Sequence, residues 1–161
     1  FDCGHSCGLF AEYDLILDGC DNFETRYLVN QTAAKLGKPL VSGALSQWEG
    51  QLSVFDCARG TPCYQCIFPK APSAELAPAC SEAGVVGPLP GVIGAMMAQE
   101  AIKLITGAGH VLRGEMLIYD GLYGETRKMT LGDAKTARLA DEWTATPSYQ
   151  TSALETCKAP T

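Results

Sequence analysis

The period of the hydrophobic positions changes along the chain, and each change marks a new element. YDLILD, residues 13–18, is a short apolar run that closes on an acid, the pattern of a buried strand. DNFETRYLVNQTAAKLGK follows, with Phe23, Tyr27, Leu28, Ala34 and Leu36 at three-to-four spacing. That spacing predicts a helix, with Asp21 in the N-cap place and Gly37 ending it. KPLVSGAL at 38–45 predicts a second buried strand. Strand, helix and strand in so short a span form a crossover, so the two strands run parallel.

The pattern then changes character. EGQLSVFD at 49–56 alternates apolar and polar, as an antiparallel strand does. Residues 57–88 are rich in Cys, Pro and Gly and read as a long loop. LPGVIGAMMAQEAIKLITG predicts a strong helix whose apolar face is Val92, Ile93, Met96, Met97, Ala101 and Leu104, with Gly107 as its stop. Within it, Gly91 and Gly94 are expected to allow close packing. EMLIYDG (115–121) and GETRKMTL (124–131) predict a hairpin. From Gly132 the periodicity fades; a short helix around 134–142 and a mobile tail are the expectations there. The fold class expected is α/β: a Rossmann-like mixed sheet, parallel strands followed by antiparallel ones, with helices packed on it.

Composition narrows the functional classes. The 161 residues are 47% apolar and 19% charged, enough for one domain with a core. A net charge of −6 argues against a nucleic-acid surface, which needs clustered Lys and Arg. No run approaches the roughly 18 apolar residues that span a bilayer, and FDCGHSCG does not read as a secretory signal. The eight cysteines are irregularly spaced, unlike a disulfide-stapled scaffold. Reduced thiols and a cytoplasmic setting are expected.

Candidate chemistry falls in two places. Ligands of open α/β sheets gather at the carboxyl ends of parallel strands, which here brings Asp18, Cys20, Asp21 and Asn22 to the site. A carboxylate there can hold Mg²⁺ and position a nucleotide's phosphates, and the following helix would aim its first amides at an anion. Arg26 lies one turn in, on the face of Asn22. The plainer alternative is that Asp21 only caps the helix and Arg26 pairs with a surface acid. The second place is CYQC. Pro62 before the pair and Ile-Phe-Pro after it make a helix start, and with it a redox motif, unexpected. Zinc takes four ligands in a tetrahedron and a CxxC turn supplies two. Cys63 and Cys66 are therefore half a site; Cys57 would have to bend back, and Cys157 stands alone. Neither His5 nor His110 pairs with a cysteine as a base would.

Taken together, DGCDNFETRYLVN, KPLVSGALSQWEGQLSVF, GTPCYQCIFP, CSEAGVVGPLPGVIGAMMAQEAIKLITG and MLIYDG resemble, in order, the ThiF/MoeB/HesA family of adenylyltransferases, relatives of ubiquitin-activating enzymes. The sulfurtransferase-type members are most similar, on GTPCYQCIFP and CSEAGVVG. The resemblance covers residues 13–131; residues 1–12 and 132–161 are atypical. It implies use of ATP and Mg²⁺ to adenylate the C-terminal glycine of a ubiquitin-like sulfur-carrier protein such as ThiS or MoaD, in a homodimer, within molybdopterin, thiamine, cysteine or tRNA-thiolation pathways. It implies that Asp21 holds Mg²⁺, that Asn22 lines the nucleotide site and that Arg26 orders it. Cys63 and Cys66 match the first pair of a structural Zn²⁺ site. Cys80 matches a cysteine that carries a thioester or persulfide-linked carrier, although a buried free cysteine is the usual alternative. The family's N-terminal glycine-rich βαβ unit and its second zinc pair have no counterpart in these residues. The chain alone is accordingly expected to adenylate poorly and to bind zinc weakly. A non-catalytic carrier-binding or dimerisation module is the alternative.

Overall fold

The computed structural model describes residues 3–71 and 84–132. Helix α1 (Cys3–Ala11) leads into β1 (Ile16–Asp18), α2 (Phe23–Lys35), β2 (Leu40–Ser46) and β3 (Glu49–Phe55). A 3₁₀ turn at Cys57–Arg59 and the single-turn helix α3 (Tyr64–Ile67) follow. Helix α4 (Leu89–Thr106), β4 (Glu115–Asp120) and β5 (Glu125–Thr130) complete the described part. The short helix expected around 134–142 and the tail beyond it lie outside these residues, as does Cys80.

The strands form one sheet in the order β1-β2-β3-β4-β5. β1 and β2 are parallel, with Ile16 opposite Leu40 and Asp18 opposite Ser42. Every later pair is antiparallel. The mixed α/β architecture read from periodicity is thus the one observed. β1 is shorter than the apolar run suggests: Tyr13 and Leu17 are exposed, because β1 is the outermost of the described strands and pairs on one side only.

Strand alternation sends side chains to two layers. Val41, Leu52 and Val54 meet Leu89, Ile93 and Met97 of α4 on one face. Leu40, Phe55 and Met116 meet Ala33 of α2, Tyr64 of α3 and Phe10 of α1 on the other. The close approach of α4 is made by glycines of the sheet. A Cβ on Gly43 would stand 2.4 Å from the Met97 sulfur, and one on Gly50 would stand 2.3 Å from Ile93 Cδ1. Gly91 and Gly94 of α4 itself, expected to mediate that packing, instead face outward, and a Cβ on either would meet nothing within 4 Å among the described residues. Periodicity located the helix but not which partner contributes the small residues.

Helix α2 also differs from its sequence pattern. Its buried positions are Arg26, Asn30, Thr32 and Ala33, while the apolar residues that revealed it are half-buried. Helix α1, in the stretch that showed no recognisable pattern, buries Cys7 and Phe10 and packs on α2. Cys7 is disulfide-bonded, contrary to the expectation of reduced thiols throughout. Cys20, Cys57, Cys63 and Cys66 are free.

Candidate functional site

The loop 18–22 leaves the carboxyl end of β1 and enters α2. Asn22, not Asp21, is the N-cap: its backbone is extended and its Oδ1 accepts the Thr25 amide at 2.8 Å. Either residue type can cap, and the register of the helix selects the later one. That leaves the Asp21 carboxylate exposed beside the first turn of α2. Asp18 behaves differently. It is 4% exposed, and its Oδ1 accepts the Cys20 amide at 3.0 Å. The two acids that the sequence placed together are separated by folding into one buried in the loop's base and one presented to solvent.

Arg26 is also buried, and among the described residues it pairs with no surface acid. Its Nη2 donates to the Cys20 carbonyl at 2.6 Å, and its guanidinium carbon lies 5.6 Å from the Tyr64 ring centroid. The Cys20 thiol donates to the Asn22 carbonyl at 3.6 Å. Burial first, and then the neighbouring Asp18 carboxylate, push that thiol up to about 11, so it is neutral in the folded protein near neutral pH. Arg26, Ser42, Gln51, Ser53, Tyr64 and Phe68 line a shallow pocket on the same side of the sheet as α2.

The second locus is the cysteine pair. Cys63 is the N-cap of α3, with its Sγ accepting the Cys66 amide at 3.3 Å. The expectation that no helix starts here is therefore corrected. Pro62 lies outside the helix, where its missing N–H costs nothing, and the turn ends before Pro69. The two sulfurs stand 2.9 Å apart. Cys57, on the 3₁₀ turn, is near enough to influence Cys63. That neighbour, more than any other group, lowers the Cys63 thiol to about 5, and Cys57 is raised in turn. Burial raises Cys66 to about 11. Among the described residues no group of three or more His, Cys, Asp or Glu side chains is arranged to hold a metal ion. Cys63 and Cys66 are zinc-type donors and two of the four a tetrahedral site needs, but their 2.9 Å separation is shorter than the edge of roughly 3.8 Å that zinc–sulfur bonds of about 2.3 Å require.

Sequence reasoning missed the residues that back this turn. Asn30 Oδ1 accepts the Tyr64 amide at 2.9 Å, and the Tyr27 hydroxyl donates to the Phe68 carbonyl at 2.7 Å. Asp56 is buried and accepts from Arg113 Nε at 2.8 Å. The available signal was a pair of polar residues, Arg26 and Asn30, one helical turn apart in a helix that otherwise reads as amphipathic.

A mixed sheet whose parallel pair ends in an acidic loop that caps the next helix defines an α/β domain of Rossmann-like architecture. Comparison with known proteins places it further. The ThiF family model matches residues 6–140, and the chain belongs to that family. A sulfur carrier protein adenylyltransferase of Thermus thermophilus is 51% identical over 127 residues, which cover 76% of this chain and 47% of that protein. An adenylyltransferase and sulfurtransferase MOCS3 of Drosophila grimshawi is 51% identical over 109 residues, 68% of this chain and 24% of that protein. The chain thus spans less than half the length of either relative. Among solved structures, PaaA superposes with a TM-score of 0.61 at 12% identity, covering 81% of this chain and 39% of that one. E. coli MccB with ATP gives 0.59 at 14% identity, covering 74% of this chain and 36% of that one. At such identity these two support the fold alone.

Proposed function

We propose that this chain carries part of the active site of an ATP-dependent adenylyltransferase, acting on the C-terminal glycine carboxylate of a ubiquitin-like sulfur-carrier protein. The observation that supports the reading most is the loop 18–22. It presents an exposed carboxylate, Asp21, at the carboxyl end of a parallel strand, fixed between a buried clamp and a capped helix. Mg²⁺ is held by one or two carboxylates together with substrate phosphates rather than by an all-protein cage, so the donor set suits that ion. Bound there, Mg²⁺ would offset the charge that gathers on the phosphates during transfer.

The chemistry is acyl activation. A carboxylate oxygen attacks the α-phosphorus of ATP, the bond to pyrophosphate breaks, and an acyl adenylate forms. In this reading Asp21 orients the phosphates, the first amides of α2 face the anion, and Asn22 lines the site while holding the helix start in place. Arg26 orders the loop from below. We take residues 13–131 as the unit that bears these groups. Cys80, outside the described residues, is the candidate nucleophile: its thiolate would attack the acyl adenylate, displacing AMP and leaving the carrier as a thioester. The cysteine turn is assigned to structural zinc, with its second pair of ligands elsewhere. A homodimer and a cytoplasmic setting belong to the same reading. No helix of the described residues is long and apolar enough to cross a membrane.

ATP–pyrophosphate exchange by the full-length protein with a carrier protein tests this. Asp21→Ala is expected to lower exchange by about 100-fold, the scale of losing one transition-state charge contact, with little loss of stability because the side chain is exposed. Exchange unchanged by Asp21→Ala would sink the assignment. Carrier binding that needs no ATP and ignores that substitution would instead mark a non-catalytic module.

A further inference from the structure

Nothing in the loop's acidic pattern distinguishes Asp18 from Asp21, yet only Asp21 faces solvent. The buried Asp18 is held in an arrangement that bears on the other acid. Its Oδ1 accepts the amide of Cys20, and Arg26 Nη2 donates to the carbonyl of the same residue. The amide belongs to the peptide plane that precedes the Cys20 Cα, and the carbonyl to the plane that joins Cys20 to Asp21. Since peptide planes are rigid, pinning one on each side fixes the φ and ψ of Cys20, the soft rotations that aim Asp21. On its other side Asp21 is followed by Asn22, which is pinned as the cap of α2.

The arrangement is not the one that stability alone would favour. Asp18 Oδ2 and Arg26 Nε are buried with no hydrogen-bond partner among the described residues. A buried polar atom left unpaired carries a desolvation cost, and such an atom in a folded protein calls for a reason. Both side chains bring an ionisable group into the interior while spending their directed bonds on one dipeptide.

We propose that Asp18 is a positioning residue, which acts through the Cys20 peptide, opposite Arg26, to hold Asp21 where its cation and the nucleotide phosphates meet. The inference rests on the reading of Asp21 given above and adds a residue that does not itself touch the ligand.

The test is the Mg²⁺ dependence of ATP–pyrophosphate exchange in the full-length protein with its carrier. Asp18→Ala is expected to lower kcat by roughly tenfold or more, the scale of a displaced catalytic group, and to raise the Mg²⁺ concentration for half-maximal rate. The KM for the carrier should stay unchanged. Asp18→Asn should restore most of both, because its amide oxygen can accept the same N–H. Arg26→Gln should shift the Mg²⁺ dependence in the same direction as Asp18→Ala. The double variant should lose less than the product of the two, because both act on one dipeptide. A wild-type Mg²⁺ dependence in Asp18→Ala, or an Asp18→Asn as impaired as alanine, overturns the proposal. If the alanine variant does not fold, hydrogen exchange at the Cys20 amide of the unmutated protein decides: protection is expected, and exchange at the solvent rate overturns the clamp. Should Asp21→Ala itself leave the Mg²⁺ dependence unchanged, the reading of the site falls and this proposal with it. Failure of Asp18→Ala alone leaves Asp21 in its role.

Discussion

At the scale of single residues, the informative positions are polar groups placed where an apolar pattern led nowhere. Cys20 is an example. Its ordinary thiol value of 9.0 rises to about 11 through burial and the adjacent Asp18 carboxylate. A thiol whose folded value lies above its unfolded one favours the neutral form in the native state. Its contribution to stability is therefore complete below pH 9 and is lost as pH rises through 11. Two outcomes follow. Alkylation of Cys20 by iodoacetamide, read by mass spectrometry, should be slow at pH 8 and climb with a midpoint near 11. Thermal melts should show Cys20→Ala losing less stability than wild type between pH 9 and 11. A midpoint at the ordinary thiol value would show that the loop leaves this group solvated.

Elements are held here by where the small residues sit. Helix α4 presents Ile93 and Met97 to the sheet, and the sheet makes room with Gly43 and Gly50. A methyl added at Gly50 would overlap two carbons of Ile93, at 2.3 and 2.4 Å, and Ile93 is only 2% exposed. Gly50→Ala should therefore cost about 1–3 kcal/mol in urea unfolding, the usual cost of overpacking. Gly94→Ala, on the outward side of the same helix with open space around it, should instead add roughly 0.4–1 kcal/mol by restricting the unfolded chain. Equal effects from the two substitutions would contradict the packing described.

For the whole molecule, the question is how the two loci are joined. Helix α2 does it. Arg26 near its start serves the acidic loop, and Asn30 one turn later holds the Tyr64 amide of the cysteine turn. Tyr64 lies against Arg26, so the turn that carries Cys63 and Cys66 buttresses the loop that carries Asp21. With two converging sulfurs and no described group of three ligands, the chain by itself should hold zinc weakly. Metal analysis after gel filtration is expected to find well under one zinc per chain, and a chelator should remove what is present without unfolding the protein. One tightly held zinc, lost on Cys63→Ser, would overturn that.

Periodicity and punctuation along the chain were sufficient for the five strands, for α2 and α4, and for the change from parallel to antiparallel pairing. They also placed the acidic loop at the carboxyl end of β1. Each of these depends on neighbours in sequence: alternation, turn residues, and the length of a crossover. The burial of Asp18 and Arg26, the choice of Asn22 over Asp21 as the cap, the helical start at Cys63 and the packing of α1 were decided only in three dimensions. Each depends on a partner distant in the chain or on the register of a helix against the sheet. A polar side chain goes inside when other elements supply its hydrogen bonds and cover its apolar stem, and no local pattern records whether they will.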